Sequence, residues 1–274
     1  MLTVDEALAA LTALVDTPEA EIEEEEILLE TAEDTVEGEA ATEETTEEAA
    51  VEGASDEAAA DAEAETVEAA PAAAQPLMSP AGRLRLGLAT PQVDALAREW
   101  RQTLDLETRV TLAGDLWDVG LQESMIAAAK LFEQARIRPD DSAVWAQIVA
   151  WVGQLDDQQI ADHVATSGQK RLVADPDRVA ELEAWMASDN PWTRRAILGM
   201  TTPWAKMNFP SERDLAVREA VLAMAFELAD DPSRMVRQAV KDWLRVLSRH
   251  DAARAEAFRA ARAARPKAAP AVQA

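Results

Sequence analysis

From Ser79 onward, apolar residues recur at spacings of three and four over segments of helical length. This pattern predicts amphipathic α-helices. Short polar side chains that can accept from unpaired backbone N–H groups, often followed by proline, mark the predicted helix starts. These starts are Thr90-Pro91, Asp140 or Asp141, Asn190-Pro191, Ser211 and Asp231-Pro232. No run alternates in the manner of strands joined by hairpin turns, so we predict an all-α body of about ten helices.

A weak internal repeat indicates how these helices are arranged. "NPWTRRAI" (190–197) and "DPSRMVRQAV" (231–240) share a capping residue, a proline and an Arg-x-Ala-Ile/Val pattern. Small alanines allow neighbouring helices to approach, as in stacked HEAT-type pairs that form a concave surface. The sequence therefore favours HEAT-like repeats in a curved α-α superhelix, although any antiparallel helical array could carry this pattern.

The domain organisation follows from changes in composition. Residues 1–18 are predicted to form an N-terminal helix with Leu8 and Leu11 on its apolar side. Residues 19–78 are rich in Glu, Ala and Thr and cannot bury enough apolar surface to fold, so they are predicted to be a disordered acidic segment or insertion. The repeat domain spans 79–262, and residues 263–274 form a disordered C-terminal tail.

The net charge of −26 is concentrated in one part of the 274-residue chain. Residues 1–80 contain 25 Asp and Glu and no Lys or Arg. The other 194 residues contain 27 acidic and 26 basic residues and are nearly neutral. A nearly neutral body can carry a basic face, so the overall acidity does not exclude a nucleic-acid partner.

Several kinds of chemistry have no sequence support. The chain has no Cys, no Gly-rich phosphate loop and no G-x-S-x-G motif. His163 and His250 lack the spacing of metal ligands, and we interpret them as surface or hydrogen-bonded histidines. Neither a basic secretory leader nor an apolar run of about 18 residues occurs. We therefore expect a cytoplasmic monomer without a metal, a small-molecule cofactor or a membrane partner.

A basic stripe is predicted on the helix that follows Asp231-Pro232. Its cations recur every four residues and share one face, opposite an apolar stripe of Val236, Val240, Leu244 and Leu247. Two further basic pairs precede this helix, one of them at a helix N-terminus that already favours anions. Such cations either contact phosphates or form a solvated face. The candidate DNA contacts are Lys170, Arg171, Arg194, Arg195, Arg237, Lys241, Arg245 and Arg249.

The stretch "AWVGQLDDQQIADH" supplies a candidate carboxylate. Trp145, Ile148 and Trp151 are spaced to form one buried helix face. Asp156 and Asp157 follow the end of this helix and could cap the next one. Alternatively, one of them could stabilise positive charge on a sugar or orient a water molecule in a groove.

Three stretches together resemble the DNA alkylation repair family of AlkD-like DNA glycosylases: "WVGQLDD", "ASDNPWTRRAIL" and "VRQAVKDWLRVLSRHD". The resemblance covers about residues 85–260. It implies HEAT-like repeats, a basic concave groove that holds double-stranded DNA, and excision of N3- or N7-alkylated purines without flipping the base into a pocket. It also implies that residues 2–20 match the first helix of the family, which makes the acidic segment an insertion.

The resemblance assigns roles to particular residues. Asp156 falls at the essential carboxylate, Arg195 at an Arg that contacts the DNA backbone, and Arg245 at the Arg of a later W-x-L-R motif. Val152 and Asp242 occupy positions where the family has tryptophans. Trp151 and Trp243 lie one residue away, about 100° around a helix, and are interpreted as core residues.

Three hypotheses remain open from the sequence. The chain is a base-excision glycosylase with Asp156 as its electrostatic catalyst, or a catalytically silent repeat module that binds distorted DNA or a protein. The acidic segment either keeps the chain in solution or competes with DNA for the basic groove.

Overall fold

The computed structural model describes residues 2–16 and 77–265, which form one compact helical unit. Within these residues lie eleven α-helices, two 3₁₀ segments and two short strands. The elements are α1 (Val4–Ala13), a 3₁₀ turn (Leu14–Asp16), β1 (Leu77–Met78), β2 (Leu84–Arg85), α2 (Thr90–Thr103), α3 (Leu106–Val119), α4 (Gln122–Lys130), α5 (Ser142–Val152), α6 (Gln158–Ala174), a 3₁₀ helix (Pro176–Ala187), α7 (Pro191–Met200), α8 (Thr202–Lys206), α9 (Glu212–Leu228), α10 (Arg234–His250) and α11 (Ala252–Ala264).

The helices form two layers. Helices α2, α4, α6, α7 and α10 stack on one another in that order and form the first layer. The second layer consists of α3, α5, the 3₁₀ helix, α9 and α11, each packed on a helix of the first layer. The all-α prediction is confirmed, and ten α-helices lie between residues 79 and 265. Assignment of the repeats to the HEAT type stays a prediction.

Close approach between α6 and α7 sets the geometry of the first layer. A Cβ on Gly168 would lie 2.4 Å from Sδ of Met200, so only glycine fits there without a shift. The Gln169 side chain then donates to the carbonyl of Gly199 at 2.9 Å. Because Asp162 meets Arg195 and Gly168 meets Met200, the two helices run in the same direction.

Tryptophans fill much of the core between the layers. The ring of Trp151 stacks on Trp117 at 4.5 Å and on Phe132 at 5.3 Å, measured between centroids. Trp145 and Ile148 are also buried, which confirms the predicted apolar face of α5. The apolar stripe predicted for α10 is confirmed as well, since all four of its members are buried.

The predicted helix starts are partly correct. The side chains of Asn190 and Ser211 cap α7 and α9 as expected. The helix predicted after Asp231-Pro232 is present as α10, but its N-cap is Ser233 and not Asp231. The Asp231 carboxylate accepts from the Ser233 N–H and binds Arg194.

A β-hairpin is present where none was predicted. Leu77 pairs with Arg85 and Met78 with Leu84 in antiparallel register. Gly82 in the turn has φ of 78°, a conformation that glycine adopts without strain. Each strand has only two residues, which is too short for an alternating pattern to show.

Helix α1 belongs to the same compact unit as residues 77–265. Its buried side chains are Ala7 and Leu11, and it packs on α2, α3 and α4. The predicted helix of residues 1–18 is thus shorter than expected, with a 3₁₀ turn at its end. The predictions for the acidic segment and for most of the C-terminal tail lie outside the described residues.

Candidate nucleic-acid interface

Helices α6, α7 and α10 enclose a groove of about 730 Å³ on the first layer. Four charged side chains line it: Asp162, Arg195, Arg234 and Asp242. The rest of the lining is amides, hydroxyls and apolar side chains: Gln158, Thr166, Gln169, Thr202, Gln238, Ala165, Leu198, Gly199, Met235, Ala239, Trp243 and Val246. The lining therefore carries two cations and two anions, so it is not the basic surface that was expected. The other exposed cations of α6 and α10 are not among the lining residues.

Arg195 lies in the groove wall, as its predicted role requires. It stands in the second turn of α7, and its side chain is 17% exposed. Its Nη2 donates to Oδ1 of Asp162 at 2.6 Å, and the guanidinium lies 5.6 Å from the ring centroid of Trp192. A phosphate that binds Arg195 must replace Asp162 as its partner or share the guanidinium with it.

The predicted stripe on α10 divides into two parts. Lys241, Arg245 and Arg249 are exposed, and Arg245 pairs with Asp242 at 3.1 Å. Arg249 follows Asp242 by seven residues and therefore shares its side of the helix to within about 20°. Arg237 instead donates to the carbonyls of Asp231 and Pro232 at 2.5 and 2.8 Å. Lys241, Arg245 and Arg249 remain the accessible cations of this stripe.

Arg194 lies inside the protein, which corrects its assignment as a DNA contact. Its Nε and Nη2 donate to the two carboxylate oxygens of Asp231 at 2.6 and 2.9 Å, and Nη1 donates to the carbonyl of Ser188. Its hydrogen bond to Asp231 raises the pKa of Arg194. Burial favours a higher pKa for Asp231, but the bonds and charge of Arg194, with the Ser233 N–H, lower it. The ion pair joins α7 to the start of α10.

The two members of the basic pair on α6, Lys170 and Arg171, differ in burial. Lys170 is exposed and follows Asp162 and Thr166 at four-residue spacing, so it continues the groove face of α6. Arg171 is fully buried and donates to Asp141 at 2.9 Å and to the carbonyl of Gln134. Its assignment as a DNA contact is also corrected, since no phosphate can reach it.

Asp156 is the half-exposed carboxylate just before α6, and its side chain is 52% exposed. It lines a separate cleft of about 330 Å³ beside the hairpin, together with Arg83 and Gly120. Nη2 of Arg83 lies 2.7 and 2.8 Å from its two carboxylate oxygens. Asp157 is buried and caps α6, which confirms the capping role for one of the two acids.

The two substituted aromatic positions differ in their surroundings. Val152 is buried, and its carbonyl accepts from the Thr193 hydroxyl at 2.9 Å. Asp242 is half-exposed in the groove. Trp151 and Trp243 are buried, as expected of core residues, and Nε1 of Trp243 donates to the carbonyl of Thr201 at 3.3 Å.

The structure brings Arg195, Asp242 and Trp243 to one groove and Asp156 to the adjacent cleft. Sequence reasoning missed Arg83 and Asp162 as partners of the candidate residues. Asp162 had a usable signal, since it lies one turn after Gln158 on the groove side of α6. Arg83 is 73 residues from Asp156, and no spacing rule links them.

Neither a metal-binding cluster nor a membrane-spanning helix is found among the described residues. Within residues 2–16 and 77–265, no cluster of three or more His, Cys, Asp or Glu could hold a metal ion. His163 lies 3.5 Å from Glu133 and His250 2.8 Å from Asn208, which confirms that both have polar partners. No helix in the described part of the chain is long and apolar enough to cross a membrane.

The described residues thus form two layers of helices, with a surface groove on the first layer and exposed cations on α6 and α10. A family model described as "DNA alkylation repair enzyme" matches residues 56–272. The chain therefore belongs to the DNA alkylation repair family. Membership supports a DNA repair-like function, with DNA as the partner. Comparison with curated proteins finds no similar sequence.

Proposed function

We propose that this protein binds double-stranded DNA along its first layer and hydrolyses the N-glycosidic bond of N3- or N7-alkylated purines. Asp156 is the electrostatic catalyst in this proposal. The observation that carries it is the half-exposed carboxylate of Asp156, which lies two residues before the groove residue Gln158 in a member of this family.

The chemistry needs little from the protein beyond a well-placed negative charge. Alkylation at N3 or N7 gives the purine a positive charge and weakens its bond to C1′. As that bond breaks, the base leaves neutral and positive charge develops on the deoxyribose. A fixed carboxylate near the sugar stabilises the transition state, in which the deoxyribose is cationic, more strongly than it stabilises the ground state. This difference lowers the barrier. Water then adds at C1′ and releases a proton.

Phosphate binding is assigned to the accessible cations around the groove. Lys170, Lys241, Arg245 and Arg249 are exposed, while Arg195 reaches the groove from α7. Phosphate neutralisation releases condensed counterions, so the logarithm of the affinity falls linearly with the logarithm of the salt concentration. The proposal therefore requires steep salt dependence.

The variant Lys241→Ala/Arg249→Ala is expected to weaken binding to a short duplex about tenfold at low salt. It should also reduce the salt slope by roughly 2, one for each lost phosphate contact. Fluorescence anisotropy over a salt series measures both values. The matched control is Arg213→Ala/Arg259→Ala, which removes two exposed arginines from the second layer. Equal losses in the two double variants would contradict phosphate binding by α10.

A second candidate function is DNA binding without excision. Val152 is buried and Asp242 is charged, so the two positions that carry tryptophans in the family offer no aromatic surface to a sugar. Release of 3-methyladenine or 7-methylguanine from methylated duplex DNA distinguishes the candidates. Salt-dependent binding without release selects the second one, and binding that is absent or indifferent to salt indicates a protein partner.

A further inference from the structure

Arg83 holds the proposed catalytic carboxylate in an incompletely bonded ion pair. One nitrogen, Nη2, serves both oxygens of Asp156, while Nη1 donates to the carbonyl of Gly120 at 3.2 Å. Nε of Arg83 is buried and has no hydrogen-bond partner. The stronger arrangement of a guanidinium with an oxyanion has two parallel N–H···O bonds, which this pair does not form.

The pair opposes the chemistry proposed for Asp156. A cation within 3 Å of the carboxylate cancels much of the negative potential that a developing sugar cation needs. The same guanidinium stands beside the cleft through which a DNA backbone would approach Asp156. Phosphate is an anion that arginine binds with paired N–H groups as readily as it binds a carboxylate.

The apolar side chains of the hairpin that carries Arg83 bury little surface. Leu77, Met78 and Leu84 are about half-exposed, and each strand has only two residues. Short two-stranded hairpins are marginally stable on their own. The side chain of Arg83 is 19% exposed, so the exchange requires its Nη1 and Nη2 end to turn from Asp156 toward the phosphate.

We propose that Arg83 exchanges Asp156 for a DNA phosphate when the duplex binds, which leaves Asp156 free to face the deoxyribose. This inference rests on the proposed function and adds one element to it. Arg83 is a positioning residue for Asp156 in the free protein and a phosphate ligand in the complex. The exchange couples the availability of the carboxylate to the presence of DNA.

The test measures affinity for an unmodified duplex, so it does not depend on base release. Asp156→Asn should tighten binding roughly threefold to fivefold, because Arg83 no longer has a competing carboxylate. Asp177→Asn is the matched control: Asp177 pairs with Arg213 at 2.8 Å on the second layer and has the same charge. It should change the affinity less than about 1.5-fold, since its cation is not expected to meet DNA.

Variants of Arg83 complete a double-mutant cycle. Arg83→Ala should weaken binding and reduce the salt slope by roughly 1, whereas Arg83→Lys should keep the slope. With Arg83→Ala present, adding Asp156→Asn should change the affinity less than about 1.5-fold.

Two results would overturn the exchange while leaving duplex binding intact. One is equal tightening by Asp156→Asn and Asp177→Asn, and the other is a full effect of Asp156→Asn without Arg83. A folded wild-type protein with no salt-dependent duplex binding would instead remove the proposed function, and the exchange with it.

Discussion

Asp156→Asn is expected to slow the release of 7-methylguanine from methylated duplex DNA by at least about 100-fold. Removing one fixed charge or donor that acts mainly on the transition state typically costs this much. Asparagine keeps the shape of the side chain and removes the negative charge. Single-turnover release with enzyme in excess, quantified by chromatography of the free base, measures the chemical step.

The adjacent Asp157 provides a matched control for this variant. Asp157→Asn removes the same negative charge, and asparagine caps the N-terminus of α6 as well as aspartate does. Release by Asp157→Asn should stay within about threefold of the wild type. Unchanged release by Asp156→Asn would contradict the catalytic role of Asp156.

If Arg83 exchanges partners as proposed, Asp156→Asn changes the affinity for duplex DNA as well as the rate of base release. Asp156→Asn should then bind duplex more tightly while it releases less base. A variant that merely disrupts the interface loses affinity and release together. The opposite movement of the two quantities therefore assigns the defect to chemistry rather than to binding.

The sequence predicted the helices well because their periodicity is local. The apolar stripe of α10 and the buried face of α5 could be read directly from spacings of three and four. The capping residue of α10 could not, because Asp231 was interpreted as the cap, whereas Ser233 is the N-cap and Asp231 is the partner of Arg194. A short acidic residue before a helix fits both roles.

The two adjacent basic pairs show what spacing can reveal about a site. Arg194 lies three residues before Ile197 and Arg171 seven residues after Val164, so both fall on buried helix faces. Their neighbours Arg195 and Lys170 fall on the groove side. Helical geometry alone separates the members of each pair, whereas the resemblance gave a role only to Arg195.

Charge balance in the groove could not be predicted from the sequence. Asp162 and Asp242 each place a half-exposed carboxylate against an arginine assigned to DNA. The contact between Asp162 and Arg195 joins two different helices, and the contact between Asp242 and Arg245 depends on the direction of both side chains within α10. A count of cations on one helix face therefore overestimated how basic the groove is.

The adjacent arginines of α7 are expected to have opposite phenotypes. Arg194→Ala leaves the buried carboxylate of Asp231 without its cation, and breaking such a pair costs about 3–5 kcal/mol of unfolding free energy. Arg195→Ala removes a partner of the half-exposed Asp162 and should cost at most about 1 kcal/mol. Arg195→Ala should weaken duplex binding, and Arg194→Ala should leave it largely unchanged under conditions where the variant is folded.

The pH dependence of unfolding separates the buried pair from a general packing defect. The pKa of Asp231 is lowered in the folded protein, so its contribution is fully present above the pKa of an unfolded Asp, about 4. It is lost as the pH falls through the lower folded pKa, because the unfolded state then binds more protons. The stability difference between wild type and Arg194→Ala, from urea unfolding, should therefore be largest near neutral pH and shrink below about pH 4. A difference that stays constant down to pH 3 would show that Arg194 acts through packing and not through its charge.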